Sequence, residues 1–236
     1  KDRKTSSARL VSSSTSSSVS ESSTTETDVG TVAAGSQDDA DFTPIPLPEY
    51  ARLADGADNP GGGAPGDATF ILERLLARGI HDACVGPLWD PGAVRIAFDA
   101  GVGAQLNLRI GGKIGPLSGD PLDLQVTVKA LQSDMFMTGL SNTPTALGDC
   151  ALGEVNGVQI VLISVRNQAM GTDLFTHLGV DPAAKKIIVV KSSQHFYASF
   201  SKVAKKVIYV GAPGAVTLDL KTLPYRKIKR PKWPID

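Results

Sequence analysis

Histidine and cysteine are scarce in this sequence, with three of the first and two of the second among 236 residues. Cys84 and Cys150 stand far apart in apolar surroundings and form neither a CxxC pair nor a zinc-knuckle spacing. They read as buried free thiols in a reducing compartment. A paired-histidine helix motif of the kind that builds a catalytic metal site is also missing. No apolar run approaches the length of a membrane span, and the N-terminus has no apolar core of the kind a signal peptide needs. These absences predict a soluble, cytoplasmic protein with no membrane partner. Neither sign of charge is in excess, since Lys plus Arg and Asp plus Glu both number 24. That balance counts against nucleic acid as the main partner. The basic residues near the end (Lys221, Arg226, Lys227, Lys229, Arg230 and Lys232) read as a solvated face or strap, with a phosphate-binding patch as the lesser reading.

What is present divides the chain in two. Lys1 to Asp41 is dominated by serine, threonine and acids, and its large apolar residues, such as Leu10 and Val11, are isolated. Such a stretch buries too little apolar surface to offset the entropy of ordering its backbone. Residues 1–47 are therefore expected to be a disordered tail ending in a linker marked by Pro44, Pro46 and Pro48. Residues 48–236, rich in Leu, Ile, Val and Ala, can build one α/β domain with a mixed sheet and helices packed on it.

Within that domain Ala51 to Asp55 reads as a strand end that leads into the glycine-rich loop 55–67. A helix is predicted over Ala68 to Arg78, capped by Asp67 and stopped by Gly79. Ile80 to Val85 reads as a strand, and Asp90-Pro91 opens a helix that runs to Ala100 and ends at Gly101. The period then changes to two over Ala104 to Ile110 and Leu122 to Ala130, as in antiparallel strands with one wet face. Further strands are expected at Val158 to Val165, Lys186 to Val190 and Val207 to Val210. Helices are expected over Thr172 to Leu178 and Gln194 to Ala204.

The loop Asp58-Asn59-Pro60-Gly61-Gly62-Gly63-Ala64-Pro65-Gly66-Asp67 is the strongest local signal. Gly61, Gly63 and Gly66 satisfy GxGxxG, but Asp55 and Asp58 would repel a pyrophosphate and Pro65 removes a donor. Two readings carry more weight than nucleotide binding. One is a structural turn; the other is a loop that presents Asp58 and Asn59 to a metal or polar substrate. Arg166 and Gln168, just past a strand end, are spaced to clamp a carboxylate, and the bland alternative for Arg166 is a salt bridge to Asp181. His195 follows an apolar strand at the entry to a helix, where α/β folds place ligand contacts, though a capping or hydrogen-bonded core histidine competes. Ser193 beside His195 hints at a nucleophile and base, but no acid is placed to orient them. His81 and His177 read as structural and solvated.

The glycine loop resembles the opening of the C-terminal domain of the MlrC, or microcystin-degradation, metallopeptidase family. Later segments agree with it in order: Gly111-Gly112-Lys113 with Gly119 to Leu122, and Ser164 to Gln168 with Phe175 and Leu178 to Pro182. Val190 to Phe196 and Pro224 to Trp233-Pro234 complete the set. The resemblance covers nearly everything after residue 52. It departs at Gly171, where the family pattern leads one to expect an acid, and at Asp149, where it leads one to expect proline. The resemblance implies a zinc-dependent hydrolase acting on peptides or amides, whose best-known member cleaves linearised microcystin. It also implies a longer N-terminal domain that holds the principal zinc ligands, an Asp and His set with no counterpart in this sequence.

Two functions follow as expectations. The first is the C-terminal domain of such a hydrolase, incomplete and inactive alone, binding zinc weakly or not at all and requiring the metal-bearing domain or a partner chain. The alternative is a non-catalytic ligand-binding or interaction module. The candidate residues near substrate or metal are Asp58, Asn59, Gly61, Gly62, Gly63, Arg166, Gln168, Ser193 and His195, with Asp58 and His195 the possible metal contacts. Limited proteolysis is expected to trim the lead and leave a resistant fragment starting near residue 48. Protection of Ser12 to Ser23 would contradict that division of the chain.

Overall fold

A computed structural model describes residues 7–11, 30–35, 51–217, 219–233 and 235–236, the first two segments as backbone only. Eight strands follow residue 50: β3 (Ala51–Asp55), β4 (Ala83–Trp89), β5 (Gln105–Ile110), β6 (Leu122–Thr138), β7 (Pro144–Val155), β8 (Val158–Ile163), β9 (Ile187–Val190) and β10 (Lys206–Val210). They form one mixed sheet in the order β10-β3-β9-β4-β8-β7-β6-β5. The first five run parallel, and the last three join as an antiparallel meander. Two segments of the lead, β1 (Ser7–Val11) and β2 (Gly30–Gly35), pair with each other, and β2 lies parallel to β10. The remainder of the expected tail lies outside the described residues.

The parallel strands are short and apolar on both sides because both faces are covered. Val85 and Leu88, Ile187 and Val189, and Ile160 and Leu162 join one core with α1 (Phe70–Ala77) and α2 (Pro91–Ala100). Cys84, Ile188 and Val190, and Val161 and Ile163 point the other way. There they meet α3 (Asp173–Thr176) and α4 (Tyr197–Phe200), where Phe175 and Phe196 both pack edge-on against Phe200. β6 serves both cores. Val126 and Val128 belong to the first, Met135 and Met137 to the second, and the register shifts after Val128 and around Met135 change which residues face which side.

Local chemistry accounts for the departures from expectation. α1 starts at Phe70, and Asp67 is not its cap. The Thr69 amide, which an Asp67 cap could have received, donates to the Ser118 carbonyl instead, and the Ala68 amide donates to Asp58. Asp67 instead accepts from the Lys113 and Ile114 amides and from Ser118 Oγ, tying the 111–121 loop down. α2 keeps its expected bounds, with Asp90 accepting from the Ala93 amide. β4 starts three residues later than Ile80 and runs through Pro87, whose missing N–H coincides with a register shift between Val85 and Leu88. β7 has no counterpart among the expected strands. Pro144, Gly148 and Gly153 obscure its alternation, and Gly148 has φ +68° opposite the bulge at Met135. The helix expected over 194–204 contracts to Tyr197–Phe200, because after Ser201 the bonding shortens to a Val203-to-Phe200 turn.

The two family departures also have local explanations. A side chain at Gly171 would overlap Asp173 and crowd the Thr138 carbonyl, and Asp149 accepts from the amide of Asp134, which sits at φ +46°. Both cysteines are buried free thiols, and burial pushes each up to about 12. A thiolate-dependent reagent at pH near 8 is therefore expected to label neither cysteine in the folded protein and both after urea unfolding. Rapid labelling of native protein would contradict the packing around Cys84 and Cys150.

Candidate functional site

Parallel strands bring their C-terminal ends to one edge of the sheet, where α/β folds gather ligand contacts. β3 delivers the glycine loop there, β4 delivers Trp89 and Asp90, β8 delivers the 164–168 segment, and β9 delivers Lys191 to His195.

Beneath that edge lies a buried ionic cluster. The Lys191 side chain is 2% exposed, and its Nζ donates to Asp58 Oδ2 at 2.7 Å, to Asp55 Oδ2 at 3.2 Å and to the Ala68 carbonyl at 2.7 Å. Asp58 also accepts from the Gly66 and Ala68 amides. Asp55 has less support: the Asp58 backbone amide favours its charge only weakly, and its Oδ1 lacks any hydrogen-bond partner. The Asp55 carboxyl is held above its ordinary range, because burial outweighs the attraction of an ammonium shared with Asp58. Lys191 is held above its own ordinary value: burial, the largest single influence, opposes its charge, but two carboxylates together favour it more.

Above the cluster the candidate side chains meet in pairs. Asn59 Nδ2 donates to Ser193 Oγ at 3.0 Å, while Asn59 Oδ1 accepts from the Gly61 amide. Gln168 Nε2 donates to His195 Nδ1 at 2.7 Å, which leaves a neutral His195 with its proton on Nε2. Gln168 Oε1 is buried without a partner. The Gln168 carboxamide lies so close to Gly61 that any Cβ at that position would overlap it. The Ala169 amide bonds the Lys191 carbonyl and closes the two segments together. The structure thus gathers Asn59, Gly61, Gln168, Ser193 and His195.

Other candidates are placed differently. Asp58 is buried at 1% exposure with both oxygens engaged, so it faces Lys191 rather than the open edge. The glycine loop closes on itself: Gly62 and Ala64 donate to the Asn59 carbonyl and Gly63 to that of Pro60. Its amides form a structural turn and do not cradle an anion. Arg166 does not pair with Asp181; its guanidinium lies 4.4 Å from the centroid of the Trp89 ring. Ser193 Oγ is bonded by Asn59, and no carboxylate among the described residues orients His195. Among the described residues no three His, Cys, Asp or Glu side chains cluster as metal ligands would. His81 and His177 bond the Asn156 and Phe136 carbonyls and take no part.

Sequence reading did not suggest that Asp55 and Lys191 pair in the core. The available signal was a charged residue immediately ending each of two apolar strands, which a buried sheet tolerates only as a pair.

Replacing Lys191 by Met leaves two carboxylates facing each other in the core, and the expected loss of folding stability is about 3–5 kcal/mol by urea titration. Raised pKa values set the pH dependence. The Asp55 contribution is fully present below the unfolded value of an aspartate and is lost as pH rises through its higher folded value. Asp55→Asn removes that loss, so its stability relative to the parent protein is expected to rise with pH over this window. A difference that is flat or falls with pH would contradict the assignment.

The family model described as MlrC C-terminus matches residues 53–227. Microcystinase C of Sphingomonas sp. is 37% identical over 184 residues, a match covering 78% of this chain and 35% of that protein. A crystal structure from Mesorhizobium sp. BNC1 described as a "Putative metallopeptidase" superposes with TM-score 0.68 at 26% identity, covering 80% of this chain and 38% of that one. The chain thus spans little more than a third of the length of either relative. Taken with the matching order of glycine loop, 164–168 segment and 191–195 segment around one sheet edge, the chain belongs to the MlrC C-terminal domain family.

Proposed function

We propose that residues 51–236 are the C-terminal domain of a peptide or amide hydrolase whose catalytic metal is held by residues outside this chain. The observation that carries this reading is the convergence of Asn59, Ser193, Gln168 and His195 at the rim of a closed glycine loop. Such a rim can orient a peptide group: exposed His195, held by Gln168, and part-exposed Ser193, held by Asn59, offer hydrogen-bonding groups at fixed positions.

Zinc is the metal that the family resemblance implies. The residues here do not fit it as a site of their own. A hydrolytic zinc takes about three protein ligands and an open position. Asp58 has both oxygens committed to Lys191 and backbone amides, and His195 would be a single imidazole with no second ligand beside it. The proposed role of this chain is therefore to bind and orient substrate, with the metal chemistry supplied from the remaining length of a protein like Microcystinase C. The completing part is either a further domain of the same protein or a partner chain. A non-catalytic binding module is the second reading, favoured by the engagement of Asp58 in the core.

The chain alone is expected to hold far less than one zinc per molecule at submicromolar free metal and to show no turnover of short linear peptides. Elemental analysis after dialysis and a peptide cleavage assay measure both. Stoichiometric zinc, with hydrolysis lost in Asp58→Ala or His195→Ala, would overturn the proposal.

A further inference from the structure

The cations around this sheet edge are not equally available. Lys191 is locked between Asp55 and Asp58, and Lys113 lies on Asp90 at 2.7 Å. The loop amides are taken up as well: Gly61 donates to Asn59 Oδ1, Gly66 to Asp58, and Gly62, Gly63 and Ala64 to carbonyls of their own turn. Arg166 is different. Its side chain is exposed, and among the described residues no carboxylate meets it. Asp181, an acid of the kind it was expected to pair with, caps its own turn by accepting from the Ala183 amide.

Arg166 is nevertheless held in place. Its guanidinium lies over the Trp89 ring. Trp89 is fixed in turn, with Nε1 donating to the Ser164 carbonyl at 3.0 Å and its backbone amide to the Gly66 carbonyl at 2.8 Å. Trp89 therefore borders the glycine loop at Gly66, as Gln168 borders it at Gly61, and Arg166 lies over the ring of Trp89, two residues before Gln168 in the same segment. A guanidinium stacked on an aromatic face keeps its N–H edge free, and that planar fork matches the two oxygens of a carboxylate. Such stacking also limits the rotamer freedom that a flexible arginine loses when it binds.

We propose that Arg166, held on Trp89, is a carboxylate-recognition residue of this sheet edge and selects ligands that carry a carboxylate beside the peptide group bound at the rim. This rests on the reading that peptide or amide ligands occupy the edge. It adds a preference for acidic ligands that the rim residues do not themselves impose.

Trp89 provides a readout independent of catalysis. The sequence has two tryptophans, and Trp233 is 86% exposed and distant in sequence, so Trp233→Phe leaves Trp89 as the sole reporter. In that background the chain is titrated with a short linear peptide ending in a free carboxylate and with the same peptide amidated. The acid is expected to bind at least about tenfold more tightly and to change Trp89 emission, since a charge-assisted bond is lost with the amide. Arg166→Gln is expected to abolish the discrimination, and Arg166→Lys, which keeps the charge without the fork, to restore only part of it. Because Arg166 is exposed, both variants are expected to melt like their parent. Equal binding of acid and amide, or discrimination that survives Arg166→Gln, overturns the Arg166 assignment and leaves the reading of the edge as a peptide site intact. Binding of neither peptide overturns both.

Discussion

One ammonium buried between two carboxylates organises the functional edge of this domain. Lys191 leaves the end of β9 and reaches the end of β3, the glycine loop and the backbone just before α1, three segments that no backbone ladder joins. Moving an ion of this size out of water costs several kcal/mol even after relaxation. The cluster is tolerated because the ammonium is met by two carboxylates and a carbonyl, and Asp58 in turn by two amides. The arrangement carries more negative than positive groups, and Asp55 bears the imbalance. Burial is the main reason its carboxyl resists ionisation, with the neighbouring charge of Asp58 adding to it.

The rest of the edge follows from that anchor. With Asp58 fixing the Gly66 and Ala68 amides, the glycine loop has a single closed path, and Asn59 is turned towards Ser193. The absence of a side chain at Gly61 then lets Gln168 approach and hold His195. Positioned side chains surround a turn whose own amides are satisfied, so a ligand at this edge would meet side chains such as Ser193, His195 and Arg166 rather than the backbone. That is a different strategy from a phosphate-binding loop of similar glycine content, whose amides point outwards.

How much of this the residues disclosed depended on how local the cause was. α2 was legible because Asp90-Pro91 and Gly101 are short-range signals acting on their own helix. The parallel strands were legible because burial on both faces leaves short apolar runs. β7 was not, since its glycines accommodate a bulge whose partner strand lies elsewhere in the chain. The cap of α1 was misassigned because Asp67 is claimed by Lys113, Ile114 and Ser118 and the Thr69 amide by the Ser118 carbonyl, all remote from the helix. The same holds for the site. Candidates adjacent to strand ends could be named, but that Asp58 faces inward and Arg166 rests on Trp89 depends on contacts between distant segments. No spacing rule encodes these contacts.

The long strand β6 carries a further consequence. Its first half packs Val126 and Val128 into one core and its second half packs Met135 and Met137 into the other, with exposed Gln132, Ser133 and Asp134 between them. The change of side is set by how many residues the bulges take up, not by which residues they are. Apart from Asp134, whose positive φ favours Gly, Asn or Asp, this stretch is therefore permissive of substitution but intolerant of any one-residue insertion or deletion, which would turn both methionines to solvent. Among homologous sequences, conservation here would appear as constant length rather than constant letters.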